Sequence, residues 1–223
     1  MTASVATPLL LSLKVALAAT AVILPPGVLL GLLLSRKEFF GKAAVETIVH
    51  LPLVLPPTAV GFLLLRALGR DGILGEKSLG FDLDLLFTWK GAAVASAVMA
   101  LPLVARTARV AFDGVDPRLT GMARSLGSGP MRALAEVTLP LARRGLLAAA
   151  VLGFTRALGE FGATILVAGS IPGRTETLAL AIFHDMMAGH DDEALVLVGI
   201  TVVIAFVAIW TAEALLRKRE AAR

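Results

Sequence analysis

Long uncharged stretches separated by short charged segments dominate the hydrophobic pattern of this chain. Four stretches contain no charged residue, and a fifth contains only Arg156 and Glu160. The five stretches are residues 15–35, 47–65, 91–105, 145–172 and 194–212. A helix needs about 20 residues to cross about 30 Å of hydrocarbon. The first, second and last stretches are long enough alone, and the third becomes adequate because Lys90, Arg106 and Arg109 can extend from its ends to the membrane surface.

The runs are far longer than the alternating segments of a membrane β-barrel, so the pattern predicts helices. We predict an all-α membrane protein in which residues 1–223 form a single domain with five transmembrane helices. The predicted spans cover about residues 12–35, 45–67, 87–109, 145–169 and 194–216.

Composition agrees with this prediction and excludes an ordinary soluble domain. Hydrophobic residues make up 57% of the 223 and charged residues 17%, with a mean hydropathy of +0.84, whereas soluble domains are about 45–50% apolar. The net charge is +4, but the basic residues are scattered between apolar runs, so we expect no nucleic-acid partner. The chain has no cysteine, which excludes disulfides and thiolate metal sites.

The distribution of charge predicts the orientation. Fourteen Lys and Arg residues fall on one side of the predicted spans, at 36–42, 106–144 and 217–223, against five on the other side. That other side carries nine Asp and Glu residues, between 71 and 84 and between 176 and 193. Basic loops stay in the cytoplasm, so the N-terminus is predicted outside and the C-terminus inside.

Residues 112–144, between the third and fourth predicted spans, are too many for a simple turn. Asp116 and Pro117 form an N-cap followed by proline at the first helical position. Gly127 is placed to end this helix in a left-handed cap, Pro130 begins a second short helix, and Pro140 leads into the next span. The pattern predicts a rigid, basic helix–glycine–helix segment at the cytoplasmic surface.

This segment has two interpretations. One is an amphipathic hairpin that rests on anionic lipid through its arginines. The other follows from spacing: residues 120–127 (TGMARSLG) are followed by nine residues and then by Val137, Thr138, Leu139 and Pro140. This resembles the cytoplasmic loop of ABC-importer permeases, which runs from an acid and two alanines to a glycine and, nine residues later, to I-x-L-P. Thr120 stands at the position of the acid, and Met122 replaces one alanine.

The resemblance covers nearly the whole chain and is greatest to molybdate permeases, because residues 51–58 (LPLVLPPT), 158–164 (LGEFGAT) and 171–175 (IPGRT) resemble segments of that subfamily. It implies an inner-membrane permease that moves molybdate or tungstate inward by alternating access; a sulfate-type permease is the alternative. The implied partners are a second copy of the chain, two copies of an ABC ATPase, an external oxyanion-binding protein and the lipid bilayer. The residues implied to contact the ATPase are Thr120, Met122, Ala123, Leu126, Gly127, Val137, Leu139 and Pro140.

ATP and Mg²⁺ are expected on the separate ATPase, because the chain has no P-loop. The run Gly75-Glu76-Lys77-Ser78 lacks the required spacing and lies on the predicted outer side. We therefore expect no cofactor and no catalytic residue in this chain. His184 and His190 stand among aspartates, but their spacing gives little support for a metal, and we expect a solvated loop there.

Candidate residues for the translocation path come from charges, glycines and prolines inside the spans. Arg156 and Glu160 are four residues apart, so they are predicted to share a helix face, either as an internal ion pair or beside the path. Consecutive prolines in the second span indicate a break, which is either a simple kink or part of a path. The path candidates are Pro56, Pro57, Thr58, Arg156, Gly159, Glu160, Gly162 and Thr164. Gly159 and Gly162 are predicted to allow close helix approach at a subunit interface, and Thr164 offers a hydroxyl to the path or to its own backbone.

Two other classes of function compete with this interpretation. An intramembrane enzyme would need a second catalytic group beside Glu160, and the spans contain neither H-E-x-x-H nor G-x-S-x-G. An ion-driven secondary transporter would need internal repeats and several buried acids, whereas Glu160 is the one acid inside the five apolar stretches. Uptake that continues without ATP would favour the secondary transporter.

Overall fold

The computed structural model describes residues 5–81 and 83–218, and all regular structure in that part is helical. The helices are α1 (Ala6–Arg36), α2 (Lys42–Val54), α3 (Pro57–Leu68), α4 (Glu76–Leu79), α5 (Trp89–Asp113), α6 (Pro117–Ser125), α7 (Pro130–Ala133), α8 (Leu139–Leu158), α9 (Gly162–Ala168), α10 (Leu178–Ala188) and α11 (Asp191–Lys218). A π-turn, Leu134–Thr138, joins α7 to α8. Asp82, Arg219 and Arg223, which contribute to the predicted orientation, lie outside the described residues.

Four helical segments of the described chain are long and apolar enough to cross a membrane. They are α1, α5, the continuous run from Pro130 to Leu158, and Asp191–Ala214 within α11. The pair α2–α3 gives a fifth crossing element if both halves count as one. The helical membrane fold predicted from the sequence is therefore confirmed, with four or five candidate spans.

The second span, predicted over residues 45–67 with a break at its prolines, is bent far more than a simple kink. The structure has two helices there, α2 and α3, with a bend of 112° between them. Leu55 is extended (ψ 143°) because it precedes a proline, and Pro56 is extended as well (ψ 135°). Pro57 then begins α3, where a missing N–H costs nothing. Two consecutive prolines thus convert one predicted span into a sharply bent pair.

The fourth span also differs from its prediction, over residues 145–169. The second helix of the segment predicted at residues 112–144 is not short, because α7, the π-turn and α8 form one run from Pro130 to Leu158. Pro140 lies inside this run rather than at the entrance to a separate span. The π-turn accommodates it: the N–H of Leu139 donates to the carbonyl of Leu134, five residues earlier. The run ends at Leu158, and α9 is a separate helix.

The main core forms where α1, α5 and α8 pack together through small residues. A Cβ atom on Gly31 of α1 would lie 2.7 Å from the backbone nitrogen of Arg109 and 2.8 Å from the Cβ of Ala108. A Cβ on Gly153 of α8 would lie 2.6 Å from Val104. Backbones of these three helices therefore approach as closely as in small-residue membrane interfaces.

Contacts at the two ends of the bundle show that α1 and α5 run in the same direction. At their N-terminal ends, the Nζ of Lys14 lies 3.7 Å from the ring centroid of Trp89. At their C-terminal ends, the guanidinium of Arg36 donates to the carbonyls of Phe112 and Val115 at 2.9 and 3.0 Å. The second end also carries α6, so the segment predicted to be cytoplasmic lies beside the C-terminal ends of α1 and α5.

The segment expected to be a solvated loop around His184 is instead the helix α10. Its first turn is fixed to α1, because the Ser12 hydroxyl accepts from the backbone N–H of Leu178 at 2.7 Å. His184 Nδ1 lies 3.1 Å from the buried carboxylate of Glu176. Eleven apolar-rich residues are too few for a span, which is why the pattern of long runs did not reveal this helix.

Candidate functional site

Helix α6 begins and ends as its sequence predicts. The Asp116 side chain accepts from the backbone N–H of Arg118 at 2.8 Å, and Pro117 occupies the first helical position. At the other end, Gly127 is left-handed (φ +91°), its N–H donates to Arg124, and the N–H of Ser128 donates to Ala123 at 3.0 Å. These two bonds are the Schellman motif that terminates a helix at glycine. The predicted left-handed cap is confirmed, and α6 is rigidly bounded at both ends.

The exposed side of α6 is apolar. None of its residues is buried, and Leu119, Met122 and Leu126 all project from the bundle, the last two being 63% and 87% exposed. An exposed apolar patch at the end of a bundle is typical of a surface that contacts another protein.

A hydrogen bond attaches α6 to the long helix that follows. Thr120 Oγ1 lies 3.2 Å from Thr138 Oγ1, and Thr138 is buried in the π-turn. Two neutral hydroxyls therefore make this contact at the position where the resembled family has an acid. Sequence reasoning included Thr120 but missed Thr138, because its partner lies 18 residues away and no local pattern marks it.

The remaining predicted contact residues fall on both sides of this attachment. Ala123 and Val137 are half-buried, Pro140 is exposed, and Leu139 packs against the main core. The structure therefore brings the predicted residues together as one unit, in which an exposed helix is joined through an elbow at Gly127 to the core of the bundle.

The break between α8 and α9 contains the one ion pair predicted inside a span. Arg156 Nη1 lies 2.7 Å from Glu160 Oε2. Glu160 is buried, whereas the Arg156 side chain remains 29% exposed. The two residues do not share a helix face as predicted, because α8 ends at Leu158 and Glu160 lies beyond it. The carboxylate instead folds back towards Arg156, so the pair is present without a continuous helix between its members.

Glu160 also caps the next helix. Its Oε1 accepts from the backbone N–H of Ala163 at 2.9 Å, in the first turn of α9. A carboxylate at a helix N-terminus satisfies a donor that has no partner within the helix and is stabilised by the helix dipole. Phe161, between the two helices, packs against Phe183 of α10 in a tilted arrangement with ring centroids 5.0 Å apart. The break is therefore a defined structure rather than a loose hinge.

The two helix breaks meet inside one chain. A Cβ on Gly162 would lie 2.8 Å from the Cβ of Pro57 and 3.4 Å from the nitrogen of Thr58. A Cβ on Gly61 would lie 2.8 Å from the Cα of Ala163. Gly162 thus permits close approach of α9 to α3 within the chain, and its predicted role at a subunit interface stays a prediction. Gly159 is exposed and makes no such approach.

Of the remaining four path candidates, three are exposed and one is enclosed. Pro56, Pro57 and Thr58 lie on the surface of the chain at the bend between α2 and α3. Thr164 is fully buried, and within the described part of the chain its hydroxyl has no hydrogen-bond partner. Its expected alternative, a bond to its own backbone, is therefore absent there. The site as a whole combines a surface break, a buried ion pair and an unpaired hydroxyl within adjoining helices.

Residues 27–220 match the family model of the binding-protein-dependent transport system inner membrane component. This match covers most of the chain, which therefore belongs to that family, a class of inner-membrane transport subunits.

Individual relatives within this family are named for the transport of particular elements or anions. The chain is 43% identical over 210 residues to the molybdenum transport system permease protein ModB of Escherichia coli (strain K12), covering 93% of this chain and 92% of that protein. It is 42% identical over 205 residues to the putative molybdenum transport system permease protein YvgM of Bacillus subtilis (strain 168), covering 92% and 90%. Identity to the sulfate transport system permease protein CysT of Escherichia coli (strain K12) is 36% over 157 residues, covering 70% and 57%.

Solved structures with the same fold are transporters as well. A crystal structure of a bacterial alginate ABC transporter in complex with an alginate pentasaccharide-bound periplasmic protein matches with a TM-score of 0.76 and 19% identity, covering 95% of this chain and 78% of that one. The inward-facing MetNI methionine ABC transporter matches with a TM-score of 0.66 and 19% identity, covering 96% and 93%. At these identities the likeness establishes the fold, which is that of an ABC-importer permease.

Proposed function

We propose that this chain is the membrane-spanning subunit of an importer for molybdate, and that it also passes the similar dianion tungstate. Support comes from the relatives: those named for molybdenum transport align over about nine-tenths of both chains, whereas the sulfate permease aligns over 57% of its own length. A sulfate-type activity is therefore the less favoured alternative.

The proposed orientation has the N-terminus outside and the C-terminus inside. The fourteen basic residues that predict it include Arg36, Arg109 and Arg124. Arg36 bonds to the end of α5, and Arg109 pairs with Glu46 at the start of α2 at 2.7 Å. These contacts gather cations at the end of the bundle that carries α6, as expected for a cytoplasmic face.

The observation that carries the proposal is the exposed, capped helix α6. We expect its apolar face to bind a groove of a separate ABC ATPase, in the helix-in-groove manner. The Schellman cap at Gly127 and the Thr120–Thr138 bond attach α6 to the run that continues into α8. Movement of the ATPase would then displace this run as a rigid body, which a flexible loop would not transmit.

The remaining parts of the importer are other chains. ATP and Mg²⁺ bind to the ATPase, of which two copies contact two copies of this chain. The described residues of one copy contain four or five candidate spans, too few to enclose a path. We therefore propose that the path lies between two copies, at the exposed bend formed by Pro56, Pro57 and Thr58. An external protein delivers the oxyanion; the alginate transporter of the same fold was likewise crystallised with a periplasmic protein bound to an alginate pentasaccharide.

The Arg156–Glu160 pair is proposed to lie beside this path. An unpaired glutamate would repel a dianion, whereas a pair is neutral as a whole. Because Arg156 is partly exposed and Glu160 is buried, the cation is the member that an anion can approach. The glutamate holds it in position and weakens its attraction, so that the anion is released.

The test compares substitutions at two glycines that have similar backbone conformations but lie at opposite ends of the bundle. Gly127 and Gly189 are both left-handed helix-terminating residues, with φ of +91° and +77°, and a Cβ at either would meet no atom within 4 Å. Valine at either position imposes a similar local strain. In vesicles containing this chain and its ATPase, with ATP inside and the binding protein outside, we expect Gly127→Val to lower molybdate uptake at least about tenfold, because the helix that contacts the ATPase is misplaced.

Gly189→Val is the control, because it lies at the end of α10, at the opposite end of the bundle, and should transport normally. Equal activity of both variants would contradict the proposed coupling. Uptake that continues without ATP would instead support an ion-driven transporter, and faster uptake of sulfate than of molybdate would support the sulfate-type alternative.

A further inference from the structure

A cavity of about 690 Å³ lies between the C-terminal end of α1 and the elbow formed by α6 and α7. This volume is within the range of about 300–1,000 Å³ typical of ligand pockets. The cavity lies on the opposite side of α6 from the exposed apolar face, because Thr120, Gly121 and Arg124 line it whereas Leu119, Met122 and Leu126 do not. Binding of α6 to an ATPase would therefore leave the cavity unfilled.

The lining separates into an apolar wall and a cationic rim. Leu29, Leu32 and Leu33, in the last two turns of the first span, form the wall. Arg36, Lys37 and Arg124 form the rim, and among the described lining residues there is no acid. Leu29 is seven residues before Arg36, so the wall extends about 10 Å from the cations along the candidate span α1. Cations at the end of a candidate span, beside an apolar groove, are complementary to an anionic lipid.

One cation of the rim, Arg36, is held in place by hydrogen bonds within the protein. Both protons of Arg36 Nη2 are used, in bonds to the carbonyls of Phe112 and Val115. These bonds fix the guanidinium plane and leave the Nη1 and Nε donors for another acceptor. Lys37 and Arg124 are exposed on either side of the opening. A phosphate at this position would accept charge-assisted hydrogen bonds from a fixed arginine and two mobile cations.

We propose that this cavity binds an anionic phospholipid, with its phosphate at Arg36, Lys37 and Arg124 and an acyl chain along the three leucines. This proposal rests on the proposed function in one respect: the proposed orientation of the importer assigns the lipid to the inner leaflet. Because α6 forms one wall, the bound lipid would also hold the coupling helix against α1.

The test measures lipid retained by the purified chain, using native mass spectrometry after incorporation into nanodiscs. One set of nanodiscs contains phosphatidylcholine alone, and the other contains phosphatidylcholine with phosphatidylglycerol at about one part in four. We expect phosphatidylglycerol to be retained, and Lys37→Glu to reduce the retained fraction at least about fivefold through reversal of one rim charge. Arg143→Glu is the matched control: it reverses an exposed cation in α8 that does not line the cavity.

A second variant tests the cavity rather than its charge. Gly121 lines the cavity, and a Cβ there would meet no atom within 4 Å. Gly121→Leu should therefore fold normally and reduce retention of phosphatidylglycerol by filling the space. Excess inorganic phosphate should not displace the lipid, because it makes no contact with the leucines.

Equal retention by the wild type, Lys37→Glu and Arg143→Glu would overturn the proposal, as would displacement by inorganic phosphate. A Lys37→Cys variant adds one more outcome, in which the ATPase protects the thiol from a labelling reagent and phosphatidylglycerol does not. That result would assign the cavity to a protein partner and also overturn the proposal. None of these measurements needs ATP hydrolysis or uptake, so failure here is distinguishable from failure of the proposed transport function.

Discussion

In the packed half of this molecule glycine and proline lie within continuous helices, whereas in the broken half they coincide with the ends of helices. In the bundle of α1, α5 and α8, glycines such as Gly31 and Gly153 bring continuous helices into backbone contact. Even the two prolines of α1 lie within an unbroken helix. At the bend of α2–α3 and the gap of α8–α9, Pro56, Pro57 and Gly162 coincide with the ends of helices, and the ends of the two breaks contact each other.

The difference lies in where polar groups are placed. The packed half buries mainly alanine, glycine and aliphatic side chains, so its stability depends on close fit. The broken half carries Arg156, Glu160 and the unpaired hydroxyl of Thr164, and it depends on a few specific polar contacts. Substitutions should therefore affect the packed half through sterics and the broken half through charge.

The largest effect is expected from Gly31→Leu. Its Cβ alone would overlap the backbone of α5 at Arg109, so α1 and α5 would have to separate, at a cost above the roughly 1–3 kcal/mol of ordinary overpacking. We expect little or no monodisperse protein after solubilisation, and a lowered unfolding temperature for the milder Gly31→Ala.

Gly199→Leu is the control for this experiment. Gly199 also lies in a candidate span, but a Cβ there would meet no atom within 4 Å. Its unfolding temperature should match that of the wild type. If Gly31→Leu were as stable as Gly199→Leu, close packing of α1 on α5 would not define the rigid half.

A smaller effect is expected in the broken half from variants of Glu160. Glu160→Ala removes the partner of Arg156 and the cap of α9 together, whereas Glu160→Gln keeps an acceptor for the Ala163 N–H. Removing one member of a buried pair costs about 3–5 kcal/mol, and the partial exposure of Arg156 places this case near or below the lower limit. Thermal unfolding in detergent should rank the wild type above Glu160→Gln, and Glu160→Gln above Glu160→Ala.

The charge contribution is isolated by combining Glu160→Gln with Arg156→Met. If the pair acts as a unit, the double variant should lose less stability than the two single variants lose in total. Strict additivity would mean that the two side chains contribute independently, and the ion pair would then have no role in the broken half.

The smallest effect is expected from Thr120→Val, which removes the bond between Thr120 and Thr138. One neutral hydrogen bond contributes about 1 kcal/mol, too little to shift global unfolding strongly. Hydrogen exchange of the backbone amides in residues 117–125 should nevertheless become faster. Ser125→Ala is the matched control, since the Ser125 hydroxyl bonds only within α6, to Gly121; equal exchange in the two variants would show that the threonine contact does not hold the helix.

Local features of this fold could be predicted from the sequence, and contacts distant in sequence could not. The caps at Asp116 and Gly127 depend on residues at most five positions apart, so the pattern identified both ends of α6 correctly. The bend at Pro56 and Pro57 was indicated as a break, but its angle depends on packing of α3 against α9.

No proline marks the gap between α8 and α9 in the sequence, because residues 141–171 contain none. Glu160 lies beyond the end of α8, where its carboxylate accepts hydrogen bonds from the Arg156 guanidinium and from the backbone N–H of Ala163. Arg36 was likewise missed as a structural residue, since its acceptors at Phe112 and Val115 are more than 70 residues away. Such partners become visible only when the helices are assembled.

The central claim, that α6 is the surface that contacts the ATPase, is tested most directly by cross-linking. The chain has no cysteine, so Met122→Cys and Met187→Cys each introduce a single thiol at a methionine of similar exposure, 63% and 65%. Met122 lies on α6, and Met187 lies on α10 at the opposite end of the bundle. With a short thiol-to-amine reagent in membranes that contain the ATPase, the account predicts a cross-link from position 122 and none from position 187. A cross-link from position 187 alone would contradict it.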